Sequence, residues 1–297
     1  MFSITSVGEI LWDVYPDKKR LGGAPFNFIY HIKKIIGNAN FISSVGNDEY
    51  GIELLHILAN NGFDTETIFI DDEHPTGKVN VTIDENKIPH FQISSKCSFD
   101  FLRLTEKAKQ IINQSSDLIY FGTFTLRSET SRETIKTLLN NPTKKYFCDL
   151  NLRHNFYTKE FIELSLQTSN VLKINEEEFS KLCEIFHLNE NQEAAVQEIL
   201  ERYKIDLLAL TLGKDGAKLY SKNDFNYYKL ESNEIVDTLG AGDAYSSILC
   251  LGYLYNFSLE KINRLANEFA LEICLINGAL PTDDSIYDKY KIEFSEK

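Results

Sequence analysis

The sequence predicts an α/β fold: a three-layer, doubly wound and mostly parallel sheet with helices on both faces. Short β-rich runs alternate with segments of helical periodicity, as in chains of βαβ units. The runs DLIYFGTF (117–124) and IDLLALTL (205–212) are almost continuously apolar, as strands buried on both faces must be. With 297 residues, 43% hydrophobic and 25% charged, the chain has the composition of an ordinary globular protein and is long enough for one large domain with a small appendage.

In chain order, a strand is expected at Phe2–Val7, then a helix at Pro25–Ile36, with Pro25 suited to a first turn. A strand at Ala39–Val45 and a helix at Tyr50–Asn60 follow. A helix at Thr105–Asn113, a strand at Asp117–Phe121, a helix at Ser128–Leu139 and a strand at Lys145–Asp149 continue the alternation. It closes with a helix at Lys159–Leu166, a strand at Ser169–Lys173, helices at Glu176–Phe186 and Gln192–Tyr203, and a strand at Asp206–Thr211.

Residues 65–101 break the alternation. GKVNVTID and IPHFQIS have period 2 and read as an antiparallel hairpin turning at Asp84–Lys87. This is either an edge extension of the main sheet or a small β-subdomain, joined by Leu11–Arg20, that serves as a lid or an oligomer contact. The second reading divides the chain into a core of residues 1–10, 21–64 and 102–297 and a lid of residues 11–20 and 65–101.

Charge narrows the function. With 31 basic and 44 acidic residues the formal net charge is −13, which argues against nucleic acid and against an anionic membrane surface. No run of 18 apolar residues exists, and the start lacks a basic n-region, so a cytoplasmic protein is expected. The five cysteines form no CxxC, and no HExxH occurs, so no structural zinc site is suggested; Cys148, Cys250 and Cys274 sit in apolar runs as small core residues.

The segment Asp237-Thr238-Leu239-Gly240-Ala241-Gly242-Asp243 runs into a helix-compatible stretch. Gly240, Ala241 and Gly242 leave the backbone open, and the first N–H groups of a helix there face a phosphate-like anion with the helix dipole behind them. Asp243 is placed to accept a hydroxyl proton as that oxygen attacks a phosphoryl group, or simply to cap the helix. LGGAPFN (21–27) is a second glycine pair opening a helix: Gly22 and Gly23 allow close backbone approach, and the Asn27 amide suits a hydroxyl. Asp13, where the first strand meets a loop, either grips two hydroxyls of a polyol or is an ordinary polar loop residue.

These two segments, about 215 residues apart, resemble the paired signatures of the ribokinase/PfkB carbohydrate kinases, and the resemblance covers nearly the whole chain. The stretch through Gly37, Gly46, Asp48 and Gly51, the Asn175-Glu176-Glu177-Glu178 tetrad and TLGKDG (211–216) fit the same family, and DLNLR (149–153) resembles its fructokinase-like members. The resemblance implies Asp243 as general base and the amides of Ala241, Gly242 and Asp243 as an anion hole. It implies that Asp13, Gly22, Gly23 and Asn27 hold the sugar, and that Asn175 and Glu178 organise Mg²⁺ through waters. Thr211, Gly213, Gly216 and Asn267 would line the ATP site, and Arg153 would meet either the phosphates or an anionic group of the acceptor. ATP and Mg²⁺ are the implied cofactors. A monovalent cation is a further candidate. Some members pair their lids, so a homodimer through the lid is the expected assembly. The leading acceptor is fructose. A 2-keto-3-deoxygluconate kinase, a ribokinase, a nucleoside kinase and a non-catalytic sugar sensor are the alternatives. Leu239, Tyr245 and Ser247 depart from the family's usual residues. There is no GxxxxGK[ST] and no GxGxxG.

Overall fold

A computed structural model describes residues 2–83, 89–153, 156–230 and 234–295. Its largest sheet has nine strands. They are β1 (Ile4–Val7), β4 (Ala39–Gly46), β5 (Ile68–Asp71), β8 (Leu118–Gly122), β9 (Lys145–Asp149), β10 (Val171–Asn175), β11 (Leu207–Thr211), β12 (Ala217–Ser221) and β13 (Phe225–Tyr228). The order is β13-β12-β11-β10-β9-β8-β1-β4-β5; β5 through β11 pair in parallel, and β12 and β13 are antiparallel additions at one edge. β1 and β8 are buried along their whole length, which explains the unbroken apolar character of β8; β1 buries Thr5 and Ser6 between its apolar ends.

Helices cover both faces. The helices α1 (Ala24–Ile36), α2 (Glu49–Asn60), α8 (Ala241–Leu254), α9 (Leu259–Cys274) and α10 (Asp288–Ser295) enclose one core. The other core lies beneath α3 (Glu106–Gln114), α4 (Glu129–Leu138), α5 (Lys159–Thr168), α6 (Glu176–Phe186) and α7 (Gln192–Tyr203). The three-layer, doubly wound expectation therefore holds. Local chemistry sets the helix starts: Asp48 caps α2 through the Gly51 N–H at 2.8 Å, and Asn175 and Glu178 form a reciprocal capping box on α6.

A second sheet of four strands, in the order β3-β2-β6-β7, is formed by β2 (Leu11–Val14), β3 (Lys19–Gly22), β6 (Lys78–Ile83) and β7 (Pro89–Ile93). It encloses its own small core of Leu11, Val79, Val81, Cys97, Phe99 and Phe124. The expected hairpin is present as the antiparallel β6–β7 pair, while the proposed turn at 84–87 lies outside the described residues. One expected boundary changes: β5 lies within residues 65–101 but extends the main sheet, pairing Ser43 with Ile68 and Gly46 with Asp71. All five thiols are unpaired. No helix among the described residues is long and apolar enough to cross a membrane.

Candidate active site

The carboxyl ends of the central parallel strands open onto a cleft of about 1250 Å³. That exceeds the roughly 300–1,000 Å³ usual for a single small-molecule pocket. Its lining includes Glu9 beyond β1, Asp149 at the end of β9, Asn175 at the end of β10 and the start of α8, with β2 and β3 as one wall.

Asp13, Gly22, Gly23, Asn27, Arg153, Asn175, Glu178, Gly240, Gly242 and Asp243 all border this one cleft. Two glycines meet geometric demands there. Gly23 joins β3 to α1 at φ 111°, where a Cβ would lie 2.4 Å from the Glu9 carbonyl oxygen. Gly240 precedes α8 at φ 79°, where a Cβ would lie 2.4 Å from that of Ala279. The sharp turn at Gly240 brings Ala241, Gly242 and Asp243 onto the first turn of α8, where N–H groups have no partner within the helix; that of Ala241 donates to Thr238 O at 3.3 Å.

Asp243 is a strongly perturbed carboxyl of the cleft. Its Oδ2 accepts a 2.8 Å hydrogen bond from Asn27 Nδ2. The side chain is partly open to the cleft, yet protein surrounds it. Burial pushes its pKa up to about 7; Asn27 opposes this, Asp149 adds to it, and Lys173 and Arg153 oppose it. A carboxyl poised near neutrality at a helix start suits proton abstraction. Across the cleft, Asp13 lies over Gly22, where a Cβ would be 2.7 Å from its Oδ2. Burial raises Asp13 to about 6 against the pull of Arg153 and Arg20.

Three buried charges that the sequence reading did not single out form the floor. Lys173 Nζ lies 3.0 Å from Asp149 Oδ1, and Asp149 Oδ2 accepts from Ser246 Oγ at 2.9 Å. The Lys173 ammonium also lies 3.3 Å from where a Gly242 Cβ would be, directly under the helix start. Burial lowers the Lys173 pKa, but Asp149 and Glu178 outweigh it and the net shift is upward, so the cation is kept. Glu9 accepts from Thr125 Oγ1 at 2.7 Å, and its burial raises its pKa.

Glu178 is 6% exposed. Its Oε2 accepts from the Asn175 N–H at 2.9 Å and its Oε1 from the Leu152 N–H at 2.9 Å, while Asn175 Oδ1 accepts from the Glu178 N–H at 2.8 Å. Among the described residues no three His, Cys, Asp or Glu side chains gather into a metal-binding cluster. Thr211 lies beside Asn175 in the β10–β11 register, and Gly213 and Gly216 turn the chain into β12 with positive φ; none of the three borders the cleft. Asn267 is farther from expectation: its Nδ2 donates to Asn263 O at 2.7 Å and to Asn263 Oδ1 at 2.9 Å, and it too lies off the cleft. Of the three departures, Leu239 lines the cleft, whereas Tyr245 donates to Asn263 Oδ1 at 3.0 Å and Ser247 to Ala244 O at 2.7 Å inside the core.

Against this geometry, the family model described as pfkB family carbohydrate kinase matches residues 5–283. The chain belongs to the pfkB family of carbohydrate kinases. This kinase is 28% identical over 290 residues to a fructokinase of Salmonella typhimurium, covering 93% of this chain and 92% of that one. A sugar kinase of Pyrococcus horikoshii, solved in complex with ATP, is 26% identical, with a TM-score of 0.81 over 98% of this chain and 99% of that one. A 2-dehydro-3-deoxygluconokinase of Thermotoga maritima has the same fold, with a TM-score of 0.82 at 18% identity over 98% of this chain and 100% of that one. The expected kinase family, fructokinase-like in sequence, is thereby established.

Proposed function

We propose that this kinase transfers the γ-phosphoryl group of ATP to a primary hydroxyl of a sugar, with fructose as the acceptor. The observation that carries the reading is the Asp243 carboxyl, raised to about 7 on the first turn of α8, lining one cleft with Asp13 and Asn27. Asp243 takes the hydroxyl proton while that oxygen attacks the γ-phosphorus and ADP leaves. The amides of Ala241, Gly242 and Asp243, with Lys173 beneath them, offset the charge that builds on the transferring oxygens. Asp13 and Asn27 orient the acceptor, and the Gly22–Gly23 backbone closes on it. Thr211, Gly213, Gly216 and the Oδ1 of Asn267 hold the nucleotide along the β10–β11 edge, and the small sheet acts as the lid.

Mg²⁺ neutralises phosphate charge when bound with the nucleotide. The residues fit a water-mediated contact: Glu178 and Asn175 are held rigidly by backbone hydrogen bonds, and Glu178 retains acceptor capacity on both oxygens.

Arg153 supports a second reading. It is exposed on the cleft wall and lowers the pKa of Asp243, Asp13 and Glu9, so a cation faces the acceptor region. That suits the carboxylate of 2-keto-3-deoxygluconate. ADP release on fructose, ribose, 2-keto-3-deoxygluconate, tagatose and adenosine separates the readings. Fructose should give the highest kcat/KM. A higher value for 2-keto-3-deoxygluconate would transfer the assignment to the acidic sugar, and no turnover on any acceptor would favour a sensor.

A further inference from the structure

We infer that Arg20 is a positioning residue for phosphoryl transfer, tying the acceptor-holding small sheet to the phosphoryl turn through Asp237. The inference rests on Gly240–Asp243 being that turn. Arg20 stands on β3 as the register partner of Asp13 on β2, so its side chain rises from the strand pair that would grip the acceptor. Its Nη1 donates to Asp237 Oδ2 at 2.9 Å and its Nη2 to Asn277 Oδ1 at 3.4 Å. The guanidinium lies 5.5 Å from the Tyr15 ring.

Asp237 heads the turn segment and organises it. Its Oδ1 accepts from the Leu239 N–H at 3.1 Å, and its Oδ2 accepts from the Gly278 N–H at 3.1 Å. The same carboxylate therefore shapes the entry to Gly240 and receives the Arg20 guanidinium. The two side chains are 24% and 23% exposed, which places the pair between a screened surface contact and a fully desolvated one. Both residues line the cleft, so the link runs along its mouth. On its other side the small sheet is fixed to α2, where Trp12 Nε1 donates to Tyr50 O at 3.3 Å. Asp13 and the turn are thus joined through one ion pair between residues 217 positions apart.

The test is a double-mutant cycle of Arg20→Gln and Asp237→Asn, with Arg20→Lys alongside, read in three ways. The readouts are acceptor KM and kcat with fructose, ATP hydrolysis without acceptor, and fluorescence of Trp12, the chain's single tryptophan. Arg20→Gln should raise the acceptor KM about tenfold and the share of ATP hydrolysed without acceptor, and should weaken the Trp12 response to fructose. Arg20→Lys should restore most of each, and the double variant should be no worse than Asp237→Asn alone. Additive effects, an unchanged KM and hydrolysis share, or equal loss in Arg20→Lys would overturn the inference. If the unaltered chain shows no turnover with fructose, that counts against the acceptor reading. The link is then judged on Trp12 emission without ligand: non-additive shifts in the cycle support it, and additive or absent shifts overturn it.

Discussion

Replacing Lys173 with methionine removes the cation between Asp149 and the start of α8. The ammonium lies 3.0 Å from Asp149 Oδ1, and the two side chains are 11% and 2% exposed, so the variant leaves a buried carboxylate whose other oxygen is held by Ser246 at 2.9 Å. Breaking a buried pair on one side costs about 3–5 kcal/mol. At about 2 °C per kcal/mol for a chain of this length, the melting temperature should fall by about 6–10 °C. The same substitution acts on chemistry. Burial is the main cause of the raised Asp243 pKa, with Asp149 raising it further and Lys173 opposing. Without the lysine the Asp149 repulsion is uncompensated, so the acid limb of kcat/KM, expected at about 7, should move upward. Each pH unit of movement in that limb corresponds to about 1.4 kcal/mol. Asp149→Asn removes the repulsion instead and should move the limb downward. Calorimetric melting and acceptor kcat/KM across pH measure both effects. Limbs that stay fixed, or that move the same way in the two variants, would refute the assignment of Lys173 and Asp149 as electrostatic tuners of Asp243.

Two further outcomes follow from burial and backbone geometry. His31 is fully buried with its Nδ1 2.9 Å from the Tyr287 hydroxyl, and burial pulls its pKa down to about 3 from 6.5. The unfolded chain takes up this proton first as the medium acidifies, so its stabilising effect is complete above about 6.5 and is lost progressively toward about 3, on the order of 5 kcal/mol in all. In an NMR titration the His31 ring should remain neutral at pH 5; protonation there would contradict the burial argument. Gly23→Ala places a Cβ 2.4 Å from the Glu9 carbonyl at φ 111°, and should cost about 2 kcal/mol or more while shifting α1 and Asn27. Chemical denaturation with acceptor titration should show both losses, and unchanged acceptor affinity would separate Asn27 from the acceptor site.

Much of this architecture was legible because the chemistry repeats a simple pattern. Continuous apolar runs marked β8 and β11 as doubly buried strands, and helix-start residues such as Pro25 and Asn175 fell where the helices begin. Sequence pattern could not decide which sheet IFID joins, because an edge strand of four residues alternates alike in either sheet; only its pairing with β4 places β5. The antiparallel pair β12–β13 was also missed, since its mixed burial breaks the apolar run that betrays a central strand. At the site, glycine turns and Asp243 were visible as local motifs. Lys173 was not, although a lysine inside the apolar run VLKIN is itself a signal: a buried ammonium needs a buried partner, and Asp149 at the end of the neighbouring strand supplies it. Asp237 was read only as part of a motif, because its partner Arg20 lies 217 residues away.

The central claim is that Asp243 is the base for an attacking sugar hydroxyl. Asp243→Asn preserves the side-chain size and the possibility of a hydrogen bond with Asn27, now 2.8 Å from Oδ2, while removing the proton acceptor. The decisive measurement is ADP release with acceptor in this variant, paired with calorimetric binding of the same acceptor. kcat should fall about 10²–10⁴-fold with acceptor affinity changed only a few-fold. Turnover within about tenfold of the unaltered kinase would contradict it.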